Sequence, residues 1–178
     1  GFRTSLRSKI YMDKTGLIAY TNEVFDTEQK FICVSRPRRF GKTMAAKMLT
    51  AYYSKGCDSR EMFQGLEIAK QPSFNEHLNQ HNVLFLNMQR FLSRAGSAKD
   101  IPAYLQSMVL EELKDTYGEL IKTSEKSLSC ALERIFVHTR KGFIFIIDEW
   151  DCIFREKQED KTAQIVYLDF LRDLFKDQ

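Results

Sequence analysis

Glycine and proline are scarce in this chain of 178 residues, which contains 8 and 3 of them respectively. Charged residues make up 29% of the chain, and the two signs are mixed along it. These proportions exclude collagen-like and broadly disordered chains. With 43% hydrophobic residues the sequence can fill a core, and its length predicts one globular domain.

Long apolar runs are also lacking. The longest strongly apolar run, residues 143–147, is far shorter than the ~20 residues that a helix needs to cross a bilayer, and no charged-then-apolar signal segment opens the chain. We therefore expect a cytoplasmic protein without a membrane partner. Lys+Arg exceed Asp+Glu by only 27 to 24, so any anion site must be local.

Cysteine is present but shows no Cys-x-x-Cys pair. The four cysteines are Cys33, Cys57, Cys130 and Cys152. Their scattered positions are typical of buried, reduced thiols in a cytosolic protein.

The hydrophobic pattern predicts alternating strands and helices. Continuously apolar segments predict strands at 31–35, 83–87 and 143–147. Helical spacing predicts helices at 14–25, 44–53, 105–113, 128–136 and 165–175, and Lys141-Gly142 is expected to end the fourth of these. We expect an α/β domain with a central, mostly parallel sheet, helices on both faces and a nucleotide at the carboxyl ends of the strands.

The tripeptide Gly41-Lys42-Thr43 lies between the first predicted strand and the next helix. A phosphate-binding loop has this context: amides and the helix dipole face the anion, the lysine reaches the β- and γ-phosphates, and the threonine binds Mg²⁺. The pattern G-x-x-x-x-G-K-[ST] has glycine where this chain has Arg36, so only its second half is present. An ordinary helix start is the alternative interpretation.

The last predicted strand runs directly into Asp148-Glu149. Asp148 can hold Mg²⁺ through water, and Glu149 can polarise a hydrolytic water. Capping of the following turn is the structural alternative. Two half-motifs in the right order favour a nucleoside-triphosphate site.

Four blocks of the chain resemble the AAA-ATPase-like proteins of bacteria and archaea, which often carry a C-terminal PD-(D/E)xK nuclease-like domain. The blocks are YMDKT at 11–15, RPRRFGKT at 36–43, MFQGLEI at 62–68 and DEWD at 148–151. The loop octet is the most specific of them, and Arg36 belongs to the family's own pattern. Trp150 stands where the family more often has tyrosine.

The resemblance implies a P-loop NTPase-type three-layer sandwich that binds ATP and Mg²⁺. The nucleotide-binding residues are expected to be Arg36, Pro37, Arg38, Arg39, Phe40, Gly41, Lys42 and Thr43. Lys42 and Glu149 are expected to be catalytic, while Thr43 and Asp148 hold the metal in Mg²⁺-dependent hydrolysis of the β–γ bond.

In such proteins a strand with a polar sensor residue follows the acidic strand and its helix, and this chain reaches Gln178 before one appears. We therefore expect a C-terminally truncated ATPase core with little activity, which self-associates through uncovered strand edges or depends on further chain. Direct pairing of the loop strand with the acidic strand is the alternative topology.

The competing functional hypothesis is a non-catalytic nucleotide-binding or scaffolding module that regulates a fused nuclease-like domain. Nucleic acid would then be an indirect partner only. Binding without phosphate release is the behaviour that separates this hypothesis from an ATPase.

Overall fold

A computed structural model describes residues 2–7, 10–37 and 39–176 of the chain. It is an α/β structure, in which the described sheet consists of two parallel strands, β1 (Asn82–Asn87) and β2 (Phe143–Asp148). The helices are α1 (Phe2–Leu6), α2 (Gly16–Glu23), α3 (Lys42–Tyr53), α4 (Arg60–Phe63), α5 (Phe74–His77), α6 (Met88–Arg94), α7 (Ile101–Tyr117), α8 (Leu128–Thr139), α9 (Cys152–Glu156) and α10 (Lys161–Phe175). Short 3₁₀ helices cover Glu28–Lys30, Glu67–Lys70 and Ala98–Asp100.

The chain divides into two compact units. The first consists of residues 1–85 and 143–148, and the second of residues 86–142 and 149–178. None of the described helices is both long and apolar enough to span a membrane.

The core of the first unit is built on one face of α3. Met48, Tyr52 and Tyr53 of this helix are buried because they recur at helical spacing. The Tyr52 hydroxyl donates to the carbonyl oxygen of Phe74 over 2.9 Å, and the Tyr53 hydroxyl donates to Oδ1 of Asn22 over 2.7 Å. Both buried hydroxyls are thus satisfied, and α3 is fixed against its neighbours.

Helices α7, α8 and α10 form the core of the second unit. Leu105, Val109 and Leu113 lie four residues apart on α7 and are buried together. Tyr167 of α10 is fully buried, and its hydroxyl donates to the carbonyl oxygen of Trp150 over 2.9 Å. This bond fixes the turn that follows Glu149.

Most elements predicted from the hydrophobic pattern are confirmed. The predicted strands at 83–87 and 143–147 are β1 and β2, and the predicted helices are α2, α3, α7, α8 and α10. The predicted end of α8 differs from the observed one by a residue or two, because the helix ends at Thr139. Arg140 (φ 54°), not Gly142, takes the left-handed position. The Arg140 N–H donates to Phe136 O over 2.7 Å and closes the last turn.

The predicted strand at 31–35 is wrong. Residues 31–37 form an irregular segment outside the described sheet, and Phe31 and Val34 are 62% and 46% exposed. Apolar, β-branched composition favours a strand only where a neighbour takes up the backbone hydrogen bonds and another layer covers the side chains. In the described sheet, β1 and β2 pair with each other.

The cysteines also differ from the expectation of buried thiols. Cys33, Cys57 and Cys130 are free and exposed, and only Cys152 is free and buried. Cys33 is exposed because it belongs to the uncovered segment at 31–37. Burial raises the pKa of the Cys152 thiol to about 11.

We expect alkylation of the folded chain near neutral pH to modify Cys33, Cys57 and Cys130 quickly and Cys152 slowly. The thiolate is the reactive form, and Cys152 is both buried and held protonated. Peptide mapping by mass spectrometry measures the four rates, and the chain unfolded in urea is the control in which all four should react. Equal alkylation rates of the four cysteines in the folded chain would contradict the burial of Cys152 in α9.

Candidate functional site

The loop of residues 36–41 leads directly into α3. Gly41 begins the helix in the left-handed conformation (φ 82°, ψ 23°), which glycine adopts without strain. The first turn of α3 carries no acidic residue. Its free backbone amides therefore present the positive end of a twelve-residue helix, with no carboxylate of that turn to neutralise it.

Lys42 turns its side chain back along the loop. Its ammonium group donates a hydrogen bond to the carbonyl oxygen of Arg36. Within the described residues no carboxylate lies within ion-pair distance of this ammonium. The bond links the start of the loop to the start of the helix.

Lys14 contacts the other end of the same loop. Its Nζ donates to the carbonyl oxygen of Phe40 over 3.1 Å, although the two residues are 26 positions apart. A Cβ atom on Gly41 would lie only 3.0 Å from this Nζ. Glycine at position 41 is therefore required by the left-handed turn, and the ammonium of Lys14 lies beside it.

The segment that carries Lys14 is held by the side chain of Asp13. Its Oδ1 accepts from the backbone N–H of Thr15 (2.8 Å) and from the Thr15 hydroxyl (2.7 Å), and its Oδ2 accepts from the N–H of Glu67 (2.8 Å). The Thr15 hydroxyl oxygen accepts from the N–H of Ile68 over 3.1 Å. The blocks at 11–15 and 62–68, far apart in sequence, are thus joined directly.

These hydrogen bonds stabilise the ionised form of Asp13. Burial by itself would raise the pKa of this carboxyl, but the bonds from the backbone of Glu67 and Thr15 and from the Thr15 hydroxyl outweigh it. The pKa therefore lies below its usual value.

The remaining loop residues are at the surface. Arg36, Pro37, Arg39 and Phe40 are exposed, and Arg39 has a positive φ of 69°. Arg38 lies outside the described residues. The exposed guanidinium groups add positive charge to the loop that carries Lys42.

Asp148 is the last residue of β2 and is only 4% exposed. It belongs to the same unit as the loop, and β2 packs against α3, the helix that carries Thr43 in its first turn. The structure therefore places both predicted metal ligands on elements that contact each other.

Glu149 begins the second unit and has a left-handed backbone (φ 56°). Its carboxylate forms an ion pair with the guanidinium of Arg155, whose Nε also lies 3.0 Å from Oδ2 of Asp151. Arg155 was missed in the sequence analysis, although its spacing of four residues from Asp151 at the start of a helix is typical of an ion pair. The predicted water-orienting carboxylate is therefore paired with a cation.

We expect Asp13→Ala to lower the free energy of unfolding by about 1–2 kcal/mol at pH 7, because it leaves the amides of Thr15 and Glu67 without their acceptor. Since the pKa of Asp13 is lowered by folding, its stabilisation is present above pH ~4 and is lost as the pH falls further. Urea unfolding at pH 7 and at pH 3 measures both effects.

The exposed Asp58→Ala variant has the same change in charge and is the control. A difference between wild type and Asp13→Ala that stays constant down to pH 3 would contradict the role of the ionised carboxylate.

Comparison with known protein families gives a match over nearly the whole chain. The model of a family described as predicted AAA-ATPase, AAA-ATPase-like, matches residues 3–178. No curated protein and no solved structure matches the chain. The match includes the loop at 36–43, the block at 11–15 and the acidic end of β2. The chain therefore belongs to the AAA-ATPase-like family of predicted AAA-ATPases.

Proposed function

We propose that the chain binds ATP with Mg²⁺ at the loop of residues 36–43 and hydrolyses the bond between the β- and γ-phosphates. The observation that carries this proposal is the amino-terminal end of α3. There Gly41 turns the chain, and two lysines donate hydrogen bonds to carbonyl oxygens of the preceding loop. Such an end presents backbone amides and positive charge to the same ligand. Membership of a predicted AAA-ATPase family supports ATP as that ligand.

The residues at this end suit a polyphosphate. Lys14 and Lys42 bind backbone carbonyls, and the described part of the chain places no carboxylate within ion-pair distance of either. A carbonyl carries only a partial charge, so an anionic phosphate oxygen is a stronger acceptor for the same ammonium. ATP is preferred to GTP on the ground of the family match, and this sequence shows no Asn-Lys-x-Asp guanine motif.

In this proposal each predicted residue has one role. Lys42 exchanges the Arg36 carbonyl for phosphate oxygens, and the amides of Gly41 to Thr43 bind the same group. The Thr43 hydroxyl and the Asp148 carboxylate would hold Mg²⁺, which when bound neutralises charge on the phosphates. The packing of β2 on α3 supports this pair of ligands.

Glu149 is proposed to orient the attacking water. Its carboxylate accepts a hydrogen bond from the water, whose oxygen attacks the γ-phosphorus as the bond to the β-phosphate oxygen breaks, leaving ADP and an inorganic phosphate that keeps the protons of the water. Because Arg155 is paired with this carboxylate, Glu149 must share or leave that pair during turnover.

We further propose that the whole chain is one P-loop domain of the three-layer sandwich type. Such a sandwich would contain β1 and β2 in its parallel central sheet and α3 in the layer that covers it. The packing of α3 on β2 and the position of the phosphate loop immediately before α3 support this arrangement.

The ion pair of Glu149 with Arg155 favours a second candidate function. A glutamate that stays paired with arginine cannot orient water, and the domain would then bind ATP without hydrolysing it. It would act as a nucleotide-binding module that regulates a fused nuclease-like domain. Nucleotide titration combined with a phosphate-release assay separates the two functions.

We expect Lys42→Ala to weaken Mg-ATP binding by about 10- to 100-fold, since a hydrogen bond between charged groups contributes about 1.5–3 kcal/mol. The fold should be retained, because the described bond of this side chain is to its own loop. Titration with fluorescent ATP measures affinity, and Lys55→Ala, just beyond the other end of α3, is the control. Unchanged affinity in folded Lys42→Ala would reject the phosphate loop.

The acidic residues should give different phenotypes. Glu149→Gln should keep Mg-ATP binding and slow turnover by about 10²- to 10⁴-fold, because it removes the carboxylate that activates the water but no metal ligand. Asp148→Asn should also raise the Mg²⁺ concentration needed for binding. Equal loss of nucleotide binding in both variants would show that the acidic pair is structural.

A further inference from the structure

We propose that Lys14 is a second phosphate-binding lysine of this site, contacting the polyphosphate together with Lys42. The inference rests on the proposed function, because it adds a residue to the same anion site. The phosphate-loop motif does not include Lys14, which lies 28 positions before Lys42 in the sequence.

The two lysines hold opposite ends of the loop. Lys42 donates to the carbonyl of Arg36, at its start, and Lys14 donates to the carbonyl of Phe40, at its end. A polyphosphate bound at the loop could therefore be contacted by two ammonium groups, each of which already reaches a carbonyl oxygen of the loop. The Nζ of Lys14 is also within 3.0 Å of the Cβ position of Gly41, beside the first amides of α3.

Lys14 is brought there by a segment that does not depend on the loop. Asp13 and Thr15, on either side of it, bind the amides of Glu67 and Ile68, and the carbonyl of Lys14 itself accepts from the N–H of Leu17 over 3.0 Å. The backbone of Lys14 is thus fixed by three contacts before its side chain reaches Phe40. Such preorganisation lowers the entropic cost of ordering a lysine on a ligand.

The charge of Lys14 is not needed to hold a carbonyl. An ammonium has three donors, and the described hydrogen bond from Lys14 uses one of them, on a neutral acceptor. No carboxylate among the described residues lies within ion-pair distance of Lys14. The positive charge and the remaining donors are therefore available to an anion beside the phosphate loop.

A purely structural role makes a different prediction. If Lys14 only held the loop through Phe40, glutamine would replace it in part, because its amide also donates a hydrogen bond. If the charge contacts phosphate, arginine, which keeps the charge and also binds phosphate, should replace it better than glutamine. The two substitutions thus separate the hydrogen bond from the charge.

The experiment is a calorimetric titration of the full chain with Mg-ATP and with inorganic tripolyphosphate, which lacks the base and sugar. We expect Lys14→Gln to weaken binding of both ligands about 10-fold or more, and Lys14→Arg to stay within about 3-fold of wild type. Lys55→Gln has the same change of charge at the far end of α3 and should bind like wild type. Circular dichroism and thermal unfolding check that each variant is folded.

A second measurement needs no variant. Tripolyphosphate should protect Lys14 from acetylation in the wild-type chain at least several-fold more than it protects Lys55, as read by peptide mass spectrometry. Equal modification of Lys14 with and without the ligand would overturn the inference even if Lys14→Gln failed to fold.

The failures are distinguishable. A folded wild-type chain that binds neither ligand would reject the proposed function itself. Wild-type binding together with unchanged binding by Lys14→Gln would reject only the role of Lys14. Equal weakening in Lys14→Gln and Lys14→Arg would assign the effect to the shape of the loop and would overturn the phosphate contact.

Discussion

Burial of one face of α3 is the constraint on which the candidate site depends. The helix is held by Met48, Tyr52 and Tyr53, all in its second half, and the hydroxyls of both tyrosines are fixed by partners on other elements. Its first turn carries no buried residue and is left for Gly41 and Lys42. Stability and ligand binding are thus divided along a single helix, and the residues at its start can exchange partners without disturbing the core.

The basic residues of the loop and the acidic residues after β2 differ in how their charges are paired. The loop side carries exposed arginines and two lysines, and the described partners of the lysines are neutral carbonyl oxygens, so their charge is not cancelled. On the acidic side the charges are paired, because Arg155 forms ion pairs with both Glu149 and Asp151. A bound anion would give the two lysines a stronger acceptor than the carbonyl oxygens they now contact. Glu149, in contrast, can contact a water only if its carboxylate gives up part of its ion pair with Arg155. In the proposed function, binding is therefore the easier property to obtain from this sequence, and hydrolysis would require a rearrangement at Glu149.

Local patterns in the sequence predicted the longer helices and both strands of the described sheet. Helices α3, α7 and α8 follow from apolar spacing alone, and β1 and β2 from continuous apolar runs. The segment at 31–35 has the same composition as those strands but lies outside the described sheet, because pairing depends on a neighbour and not on propensity. The position of Gly41-Lys42-Thr43 could be predicted from the sequence because this motif coincides with the start of a helix. The position of Lys14 beside the loop could not be predicted, because its contact with Phe40 exists only once the chain has folded.

Neighbouring residues of the block at 11–15 make different kinds of contact. As sequence it resembles a helix cap, and Asp13 does accept the N–H of Thr15 just before α2. The second oxygen of the same carboxylate reaches Glu67, and the hydroxyl of Thr15 reaches Ile68, so the outer residues of the Asp-Lys-Thr triplet face the protein. The middle residue, Lys14, instead reaches the carbonyl oxygen of Phe40 in the loop before α3. Because the anchoring bonds involve no atom of the loop, a ligand can draw Lys14 from the Phe40 carbonyl without loosening the segment that presents it.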